Sequence, residues 1–347
     1  MYFFTFVKMK ILKNHSLKQY NTFGLECKAD FFVEVYSLTD IEIVFAQKEF
    51  QSIPKLILGG GSNILLYDVF KGLVVKMSLT GIKDYGNGII KVAAGENWHD
   101  FVLWTIDNGY NGLENLSLIP GSTGAAPMQN IGAYGVEIKD CFVELEALHI
   151  SSKVLHTFSK KDCQFGYRES IFKSSEKGNY IICSMTLQLK NDGLLNLEYG
   201  VINNVLEQRC ISSPTAKDVS DAVISIRKSK LPDPNKIGNS GSFFKNPVIS
   251  MNLFNSIKDR WCDIPSFPAK HDFVKVPAGW LIEKAGWKGK RFSECGVHNK
   301  QALVLVNHGS ASGEEIFNLA TMIQSSIFEL FEINLQIEVN IIGKQTE

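Results

Sequence analysis

Two glycine-rich segments in the first half of the chain carry the residue types that bind a phosphate-containing ligand. The first, LGGGSNILL (58–66), places Gly59, Gly60, Gly61, Ser62 and Asn63 directly after an apolar run. Because glycine has no side chain, its backbone can approach a diphosphate closely enough for successive N–H groups to donate to the oxygens. A tight glycine turn without a ligand is the alternative interpretation of this segment.

The second segment, IPGSTGAAPMQNIGAYG (119–135), is a longer run of small residues with one bulky polar side chain. Side chains this small can line a narrow slot where a large flat or extended ligand meets the backbone. Two such segments together indicate a dinucleotide. The residues expected to contact it here are Pro120, Gly121, Ser122, Gly124, Ala125, Gln129, Asn130, Gly132, Ala133 and Tyr134. Neither segment has the GxGxxG pattern opening a helix and no GxxxxGK[ST] occurs, so a Rossmann domain or a P-loop is not expected.

A third stretch, GNSGSFFKNP (238–247), places Ser242 between a glycine and two phenylalanines, with no histidine nearby. A serine beside glycine is most often only a turn residue. A nucleophilic serine needs an adjacent base. The stretch therefore predicts either a turn or a serine that acts without a neighbouring base.

The three segments must be positioned by strands and helices, and the sequence patterns predict both kinds of element. KLIL (55–58), LVVKM (73–77), IIKVAAG (89–95) and YIICSMTLQLK (180–190) are rich in branched residues and predict strands, whereas NWHDFVLWTIDNG (97–109) predicts a helix. The order does not alternate as regular βαβ units, so the fold class is α+β, with a domain boundary near residue 193.

Two amphipathic helices are predicted in the second half. SPTAKDVSDAVISIRKSK (213–230) offers Ser213 as N-cap and Pro214 as the first helical residue. A capping box from Ser312 to Glu315 opens the other helix. The apolar stripes favour core packing over a binding face; they are Val219, Ala222, Val223 and Ile226 in one helix, and Ile316, Leu319, Ala320, Ile323 and Ile327 in the other.

Composition and charge favour small-molecule ligands. The 347 residues allow about two domains, and 36 basic residues balance 36 acidic ones, so no nucleic-acid or membrane surface is expected. Seven cysteines without CxxC spacing argue against disulfides and a metal site and for the reducing cytoplasm. The apolar start MYFFTFV is too short to span a bilayer, and translation could start at Met1 or Met9.

Nine motifs, in order from about Asn14 to Gly343, resemble those of the bacterial UDP-N-acetylenolpyruvoylglucosamine reductases. They are NHSLKQYNTFG, LGGGSN, AAGENWHDFV, GLENLSLIPGSTGAAPMQNIGAYG, CQFGYRESIFK, KLPDP, GNSGSFFKNP, AGWLIE and VHNKQALVLVN. The resemblance implies an FAD-binding domain of the vanillyl-alcohol-oxidase type with two subdomains (about 14–75 and 76–193), after an extension of residues 1–13. A smaller α+β substrate-binding domain (194–331) and a C-terminal segment (332–347) that returns to the active site follow.

The same resemblance implies the reaction. NADPH reduces noncovalently bound FAD, since neither glycine segment holds a histidine or cysteine for attachment, and hydride then passes to C3 of the enol ether of UDP-N-acetylglucosamine enolpyruvate. Arg168 in GYRES, Ser242 and Glu338 match the catalytic positions, with Glu329 or Glu332 as alternatives to Glu338. A guanidinium can hold the substrate carboxylate bidentately. Ser242 would donate a proton to C2, which requires no adjacent base, and Lys230 or Lys245 would stabilise its alkoxide.

The resemblance also implies a substrate-binding set. Tyr199 lies in NLEYGVI, which is similar to a mobile tyrosine loop that closes over the uridine nucleotide; the matching positions are Tyr199, Lys230, Asn246 and Gln301. His99 and His298 lie inside motifs but are expected to be structural. Family precedent implies a monomer in the cytoplasm that takes part in peptidoglycan synthesis and hence in cell shape, growth and division. An FAD-dependent oxidase that uses oxygen and a non-catalytic nucleotide-binding protein are the alternative functions.

Overall fold

The computed structural model describes residues 9–344 of the chain. Contacts divide the chain into two compact units. Unit 1 contains residues 9–15, 29–60 and 71–229, and unit 2 contains residues 16–28, 61–70 and 230–344. The boundary between Gly60 and Gly61 therefore divides the first glycine segment between the units. Residues 1–8, with the alternative start at Met1, lie outside the described residues.

The α-helices of residues 9–344 pack apolar stripes inward, and most begin at a polar cap or after a proline; α3, which follows Tyr199 without a side-chain cap, is an exception. They are α1 (Leu38–Ala46), α2 (Trp98–Asp107), α3 (Gly200–Gln208), α4 (Ala216–Lys230), α5 (Met251–Arg260), α6 (Ala278–Lys284) and α7 (Gly313–Phe331). In α7 the side chain of Ser312 accepts from the Glu315 N–H while the Glu315 side chain accepts from the Ser312 N–H, so the predicted capping box is confirmed.

The strands of the same range are short except for a few in unit 1. They are β1 (Leu12–Ser16), β2 (Lys28–Val35), β3 (Lys55–Leu58), β4 (Ile64–Leu66), β5 (Phe70–Met77), β6 (Ile82–Asp84), β7 (Ile89–Ala93), β8 (Gly132–Ala133), β9 (Val136–Glu137), β10 (Phe142–His149), β11 (Leu155–Ser159), β12 (Tyr180–Gln188), β13 (Val248–Ser250), β14 (Phe267–Pro268), β15 (Phe273–Lys275), β16 (Arg291–Phe292), β17 (Cys295–Val297), β18 (Leu305–Asn307) and β19 (Asn340–Ile342).

Unit 1 is built on two sheets, of order β1-β2-β5-β3 and β11-β10-β12-β7-β6. The central strand β12 is buried from Ile181 to Leu187 and pairs antiparallel with β10 and β7. Its near-continuous run of apolar residues therefore reflects burial on both faces. The first sheet draws its strands from residues 12–77 and the second from residues 82–188.

Unit 2 contains smaller sheets, of order β13-β15-β14 and β16-β17-β18, and the parallel pair β19-β4. Helix α7 supplies the largest apolar face, with Ile316, Ile323 and Ile327 fully buried. Such a stripe removes several large side chains from water, which is the main source of its stability. The mixture of helices and mostly antiparallel sheets confirms the predicted α+β class.

One helix start was predicted wrongly. Helix α4 begins at Ala216, so neither Ser213 nor Pro214 has the predicted position. The Asp218 carboxylate accepts from the Thr215 N–H and hydroxyl, and the Asp218 N–H donates to the Thr215 hydroxyl. These reciprocal bonds make Thr215 the better cap, two residues further along the chain. The predicted apolar stripe of α4 is buried as expected.

The predicted domain limits stay predictions, because the compact units group residues 194–229 with unit 1 and residues 16–28 and 61–70 with unit 2. Among the described residues, no helix combines the length and the apolarity that crossing a bilayer requires. The same residues contain no group of three or more histidine, cysteine or acidic side chains placed to hold a metal ion.

Candidate active site

The two glycine segments meet in unit 1. A Cβ at Gly60 would lie 2.7 Å from the Cα of Gly121, and one at Gly59 would overlap the hydroxyl of Ser122. Only bare backbone fits at this contact. Within residues 9–344, the N–H groups of Gly60 and Gly121 make no hydrogen bond to the protein, and Gly60 is exposed. Unpaired donors on accessible backbone fit an anionic group such as a diphosphate.

Gly124 serves the packing of the second segment itself. Its N–H donates to the Ala94 carbonyl at 2.9 Å, and an added Cβ would lie 2.5 Å from the Ala94 Cβ. This packing is a reason for glycine that the sequence interpretation did not contain, and the predicted contact of Gly124 with a ligand stays a prediction. Here the absent side chain lets the segment contact the residue that follows β7.

Asn130 and Arg168 tie the second segment to the turn 166–169. Asn130 is buried, and its Nδ2 donates to the Glu137 carboxylate and to the Gly166 carbonyl, each at 3.0 Å. The Arg168 Nη2 donates to the Gly132 carbonyl at 2.7 Å. Arg168 has φ of 55°, a left-handed conformation that favours glycine, so the turn aims its guanidinium at some conformational cost. The structure thus brings Arg168 to the second glycine segment.

At the other end of this segment, Tyr134 contacts both Tyr199 and Arg227. Its ring packs edge-to-face on Tyr199, with centroids 5.4 Å apart. Its hydroxyl contacts Arg227, whose Nε donates to the Leu118 carbonyl at 3.2 Å. Burial raises the pKa of Tyr134 and lowers the pKa of the Arg227 guanidinium. No acidic side chain of the described residues pairs with Arg227.

Sequence reasoning missed Arg227. The signal was present, because Arg227 follows Val223 by four residues and so lies on the buried side of α4. A guanidinium on an apolar helix face that has no carboxylate partner must be stabilised by other hydrogen-bond acceptors or by an anionic ligand. The second glycine segment and a ligand held there can supply them.

In unit 2, the stretch around Ser242 is extended backbone that forms isolated antiparallel bridges on both sides, between Ser242 and Val304 and between Phe244 and Ile337. The Phe243 N–H donates to the Leu303 carbonyl, and the Glu338 N–H donates to the Phe243 carbonyl, each at 2.8 Å. Both Phe243 and Phe244 are fully buried and anchor the strand. The Ser242 hydroxyl is partly exposed and makes no hydrogen bond to a described residue. The backbone thus places Ser242 next to the segment that carries Glu338.

The Glu338 segment is further tied to the first glycine segment. The Asn340 N–H and side-chain amide both donate to the Asn63 carbonyl, at 3.1 and 3.0 Å. Glu338 itself is half-buried, whereas Glu329 and Glu332 are exposed on or after α7. This placement supports Glu338 over both alternatives.

Asn246 and Gln301 each lie beside the first residues of α6. The Asn246 Oδ1 accepts from the Ala278 N–H at 2.9 Å, and the Gln301 Oε1 lies 3.1 Å from where a Cβ of Gly279 would be. Asn246 therefore caps a helix, a structural role that its sequence context did not reveal, and its Nδ2 is left for a ligand. Lys230 is exposed at the end of α4, and Lys245 is half-buried.

Two histidines lie inside the motifs: His99 accepts a hydrogen bond from the main chain, and His298 lies in a partly buried position. The Leu118 N–H donates to the His99 Nδ1 at 3.0 Å, which fixes a neutral tautomer, and burial lowers the pKa of His99. Burial also lowers the pKa of His298, whose Nδ1 has no partner among the described residues. Both observations support leaving them out of the catalytic set.

The predicted site residues fall into both units. Unit 1 contains Gly59, Gly60, Pro120, Gly121, Ser122, Gly124, Ala125, Gln129, Asn130, Gly132, Ala133, Tyr134, Arg168 and Tyr199, and unit 2 contains Gly61, Ser62, Asn63, Lys230, Ser242, Asn246, Gln301 and Glu338. Each unit gathers its own members, and their joint action in one reaction stays a prediction.

Comparison with known proteins assigns both halves of the chain. Residues 29–157 match the model of an FAD binding domain, and residues 233–342 match that of the UDP-N-acetylenolpyruvoylglucosamine reductase C-terminal domain. These matches confirm the predicted FAD-binding domain, and they place the C-terminal domain of the reductases after it.

Curated relatives extend the similarity to nearly the whole chain. The UDP-N-acetylenolpyruvoylglucosamine reductase of Flavobacterium johnsoniae is 50% identical over 96% of this chain and 100% of its own, and that of Bdellovibrio bacteriovorus is 46% identical over 95% and 99%. The crystal structure of the reductase from Thermus caldophilus superposes with a TM-score of 0.68 at 22% identity, covering 97% of this chain and 99% of that one. The last likeness concerns the fold alone.

Proposed function

Because the chain belongs to the UDP-N-acetylenolpyruvoylglucosamine reductase family, we propose that it reduces UDP-N-acetylglucosamine enolpyruvate to UDP-N-acetylmuramate with NADPH. It is an FAD-dependent oxidoreductase, and its family acts in peptidoglycan synthesis. The observation that carries the proposed chemistry is the strand in which Ser242, with its hydroxyl unpaired, lies beside the Glu338 segment.

Bound FAD would supply the redox chemistry, by taking hydride from NADPH and giving it to C3 of the enolpyruvyl group. The chain's own contribution to binding is the backbone of the two glycine segments. The unpaired N–H groups of Gly60 and Gly121 are suited to the diphosphate. Neither segment offers a histidine or cysteine, which supports noncovalent binding.

Ser242 is the proposed proton donor to C2. Phe243, the next residue, is fixed by main-chain bonds on both sides, so the Ser242 hydroxyl is positioned without making a side-chain bond of its own. A hydroxyl is a weak acid, and its alkoxide needs a cation during the transfer. Lys230 and Lys245 remain the alternatives for that cation.

Arg168 and Glu338 are the proposed partners of the substrate carboxylate and of the charge that develops at C2. A guanidinium can hold a carboxylate with parallel N–H bonds while it stays charged. Glu338 is half-buried on a tethered segment, where a protonated carboxyl could share its proton with the enolate oxygen. Stabilising developing charge in this way acts on the transition state more than on the bound substrate.

Tyr199, Lys230, Asn246 and Gln301 are the proposed contacts of the sugar nucleotide. The Tyr199 side chain is 42% exposed, so it is accessible to a ligand although its ring touches Tyr134. The Asn246 Nδ2 and the exposed Lys230 ammonium are donors suited to phosphate oxygens.

The proposal also covers cellular context. We expect a cytoplasmic monomer whose activity supports cell shape, growth and division. All seven cysteines are free thiols, and burial raises the pKa of Cys141 and Cys163 to about 12, a state compatible with a reducing compartment.

One spectroscopic experiment tests cofactor, donor and acceptor in sequence. The purified protein is mixed under nitrogen first with NADPH and then with the enolpyruvyl substrate. We expect rapid bleaching of the flavin absorbance by NADPH and its return on addition of substrate. Slow bleaching with fast reaction toward oxygen would indicate the oxidase instead, and a colourless protein that FAD cannot reconstitute would indicate a non-catalytic nucleotide-binding protein.

Acid precipitation tests the mode of cofactor binding separately. Noncovalent FAD is released into the supernatant, so the pellet should be colourless. Flavin that stays with the precipitated chain would contradict the proposal.

A further inference from the structure

Asn115 lies in GLENLS, a motif whose residues the proposed reaction does not use. It is fully buried in the short 3-10 turn Glu114–Leu116. Its Nδ2 donates to the Tyr134 carbonyl and to the Asn196 carbonyl, each at 2.9 Å. One carboxamide therefore joins the end of the second glycine segment to the tyrosine loop, the residues 194–199.

Other contacts repeat the same connection. The Asn196 Nδ2 donates to the Gly135 carbonyl at 3.3 Å, and the Tyr199 ring packs on the Tyr134 ring. The tyrosine loop thus lies along Tyr134 and Gly135 through its main chain, one side chain and one ring. Leu194 is fully exposed, whereas Leu195 and Leu197 pack against the apolar cluster of α3 and α4. The bonds to Tyr134 and Gly135 fix the remaining side of the loop, the side that adjoins the second glycine segment.

The turn that carries Asn115 is rigid. The Leu116 carbonyl accepts from the Trp98 indole at 2.9 Å, and the Glu114 carboxylate accepts from the Gly112 N–H at 2.6 Å. The Asn115 Oδ1 is buried and has no partner within residues 9–344. An unpaired buried oxygen is unfavourable, so the amide is retained for the two bonds that its Nδ2 makes.

We propose that Asn115 is a positioning residue for sugar-nucleotide binding, which favours this position of Tyr199 over other positions of the mobile tyrosine loop by fastening the loop to Tyr134. The inference rests on the proposed role of Tyr199. A loop held in its binding conformation loses less conformational entropy when the ligand binds. Removing the two bonds should therefore raise the KM for the sugar nucleotide and leave flavin reduction by NADPH unchanged.

The test compares Asn115→Ala with Ser220→Ala. The control removes the buried hydrogen bond between the Ser117 and Ser220 hydroxyls, 2.8 Å, which lies close in sequence to Asn115 but touches neither Tyr134 nor the loop. We expect Asn115→Ala to raise the KM for the sugar nucleotide about tenfold, the equivalent of two ordinary hydrogen bonds, and the control to change it less than twofold. FAD content and the rate of flavin reduction should match the parent in both.

A double-mutant cycle with Tyr199→Phe separates positioning from general destabilisation. If Asn115 acts through Tyr199, the combined variant should have about the KM of the more affected single variant, and independent effects would multiply. The inference would be overturned if the effects of Asn115→Ala and Tyr199→Phe on the KM multiply. It would also be overturned if Asn115→Ala leaves the KM unchanged or lowers it. If Tyr199→Phe alone has no effect while the parent enzyme turns over, the role proposed for Tyr199 fails first.

Poor folding of Asn115→Ala does not remove the test. Asn196→Ala acts on the half-buried loop side of the same connection: it loses the bond to the Gly135 carbonyl and the bond from the Glu198 N–H, and it keeps the carbonyl that accepts from Asn115. It should raise the KM twofold to threefold, again without multiplying the effect of Tyr199→Phe. An unaltered KM in Asn196→Ala, or an effect that multiplies that of Tyr199→Phe, would equally contradict the proposal.

Discussion

The two units hold their parts of the proposed site in different ways. In unit 2, the strand around Ser242 is fixed by main-chain bonds to Leu303 and Glu338, and the Ser242 hydroxyl makes no bond to a described residue. In unit 1, the side chains of Arg168 and Asn130 are themselves hydrogen-bonded to the glycine segment and its neighbouring turn.

Ser242 in unit 2 therefore has a proposed reactive group without a structural bond, whereas Arg168 in unit 1 has both. A substitution at Ser242 removes a reactive group but no structural contact. A substitution at Arg168 removes a reactive group and a bond to Gly132 together. Variants in unit 2 should therefore report on single steps of the reaction, whereas variants in unit 1 should also change cofactor affinity.

The largest effect is expected for Ser242→Ala. The variant should bind FAD and be reduced by NADPH at the parent rate, and flavin reoxidation by the enolpyruvyl substrate should slow about 10²- to 10⁴-fold, the usual loss for a general acid. Ser242→Cys should recover part of this rate because a thiol can also donate a proton. Stopped-flow absorbance measures both half-reactions. Reoxidation of Ser242→Ala as fast as the parent, with the same product, would show that the proton comes from elsewhere.

Arg168→Met should change both half-reactions and cofactor affinity. It loses the charge-assisted bond to the Gly132 carbonyl and the proposed contact with the substrate carboxylate. Hydrogen bonds to charged groups contribute about 1.5–3 kcal/mol, so turnover should fall at least about 10-fold and FAD should dissociate more readily. Equilibrium dialysis and steady-state rates check this, with the exposed Arg209 changed to Met as control. Parent-like FAD affinity in Arg168→Met would remove the contrast between the units.

Arg227→Met tests whether this partly buried cation faces the bound cofactor. A guanidinium beside the second glycine segment would favour added electron density on FAD, so its loss should lower the flavin midpoint potential by about 30 mV, or about 1.4 kcal/mol for a two-electron couple. Lys228→Met removes the same charge from an exposed neighbour and should leave the potential unchanged. Equal potentials in the two variants would place Arg227 away from the redox group.

The smallest effect concerns pH. Burial lowers the pKa of His99, His298 and His308, so the folded chain disfavours their charged form. The unfolded chain then binds more protons, and stability should be constant above the ordinary histidine value of 6.5 and fall as the pH decreases below it. Urea midpoints at about pH 7.5 and 5.5 measure this, above the range where carboxylates titrate. His99→Gln, which keeps an acceptor for the Leu118 N–H, should reduce the slope.

An identical slope in His99→Gln would assign the pH dependence to unit 2, where His298 and His308 lie. The same pair of measurements on His298→Gln then compares the units directly.

Local patterns predicted most of the elements but not the contacts between them. The capping box of Ser312 and the strand β12 are properties of a few consecutive residues, and both were predicted, although the burial of both faces of β12 was not. Helix α4 was misplaced because Thr215 and Asp218 form a better cap than Ser213. The contact of Gly60 with Gly121 depends on long-range packing that no local pattern contains.

The candidate site shows the same limit. Motif resemblance named Arg168, Ser242 and Glu338, but it did not indicate that Asn246 caps α6 or that Asn130 holds the turn before Arg168. Arg227 and Asn115 were missed because their importance lies in burial and partners. Hydrogen-bond partners at long sequence separation are fixed by the tertiary fold and cannot be inferred from residue type alone.

The parallel pairing of β19 with β4 has a consequence for synthesis of the chain. The amide of Asn340 bonds to Asn63, 277 residues earlier, and Leu65 and Leu66 of β4 are buried in the finished unit. At ribosomal rates of about 5–20 residues per second, β4 waits roughly 15–55 s for its partner. During that interval an apolar strand with an unpaired edge is a ready substrate for chaperones or for aggregation. Chains that stall before Asn340 should therefore be inactive and preferentially degraded, whatever the state of the residues already made.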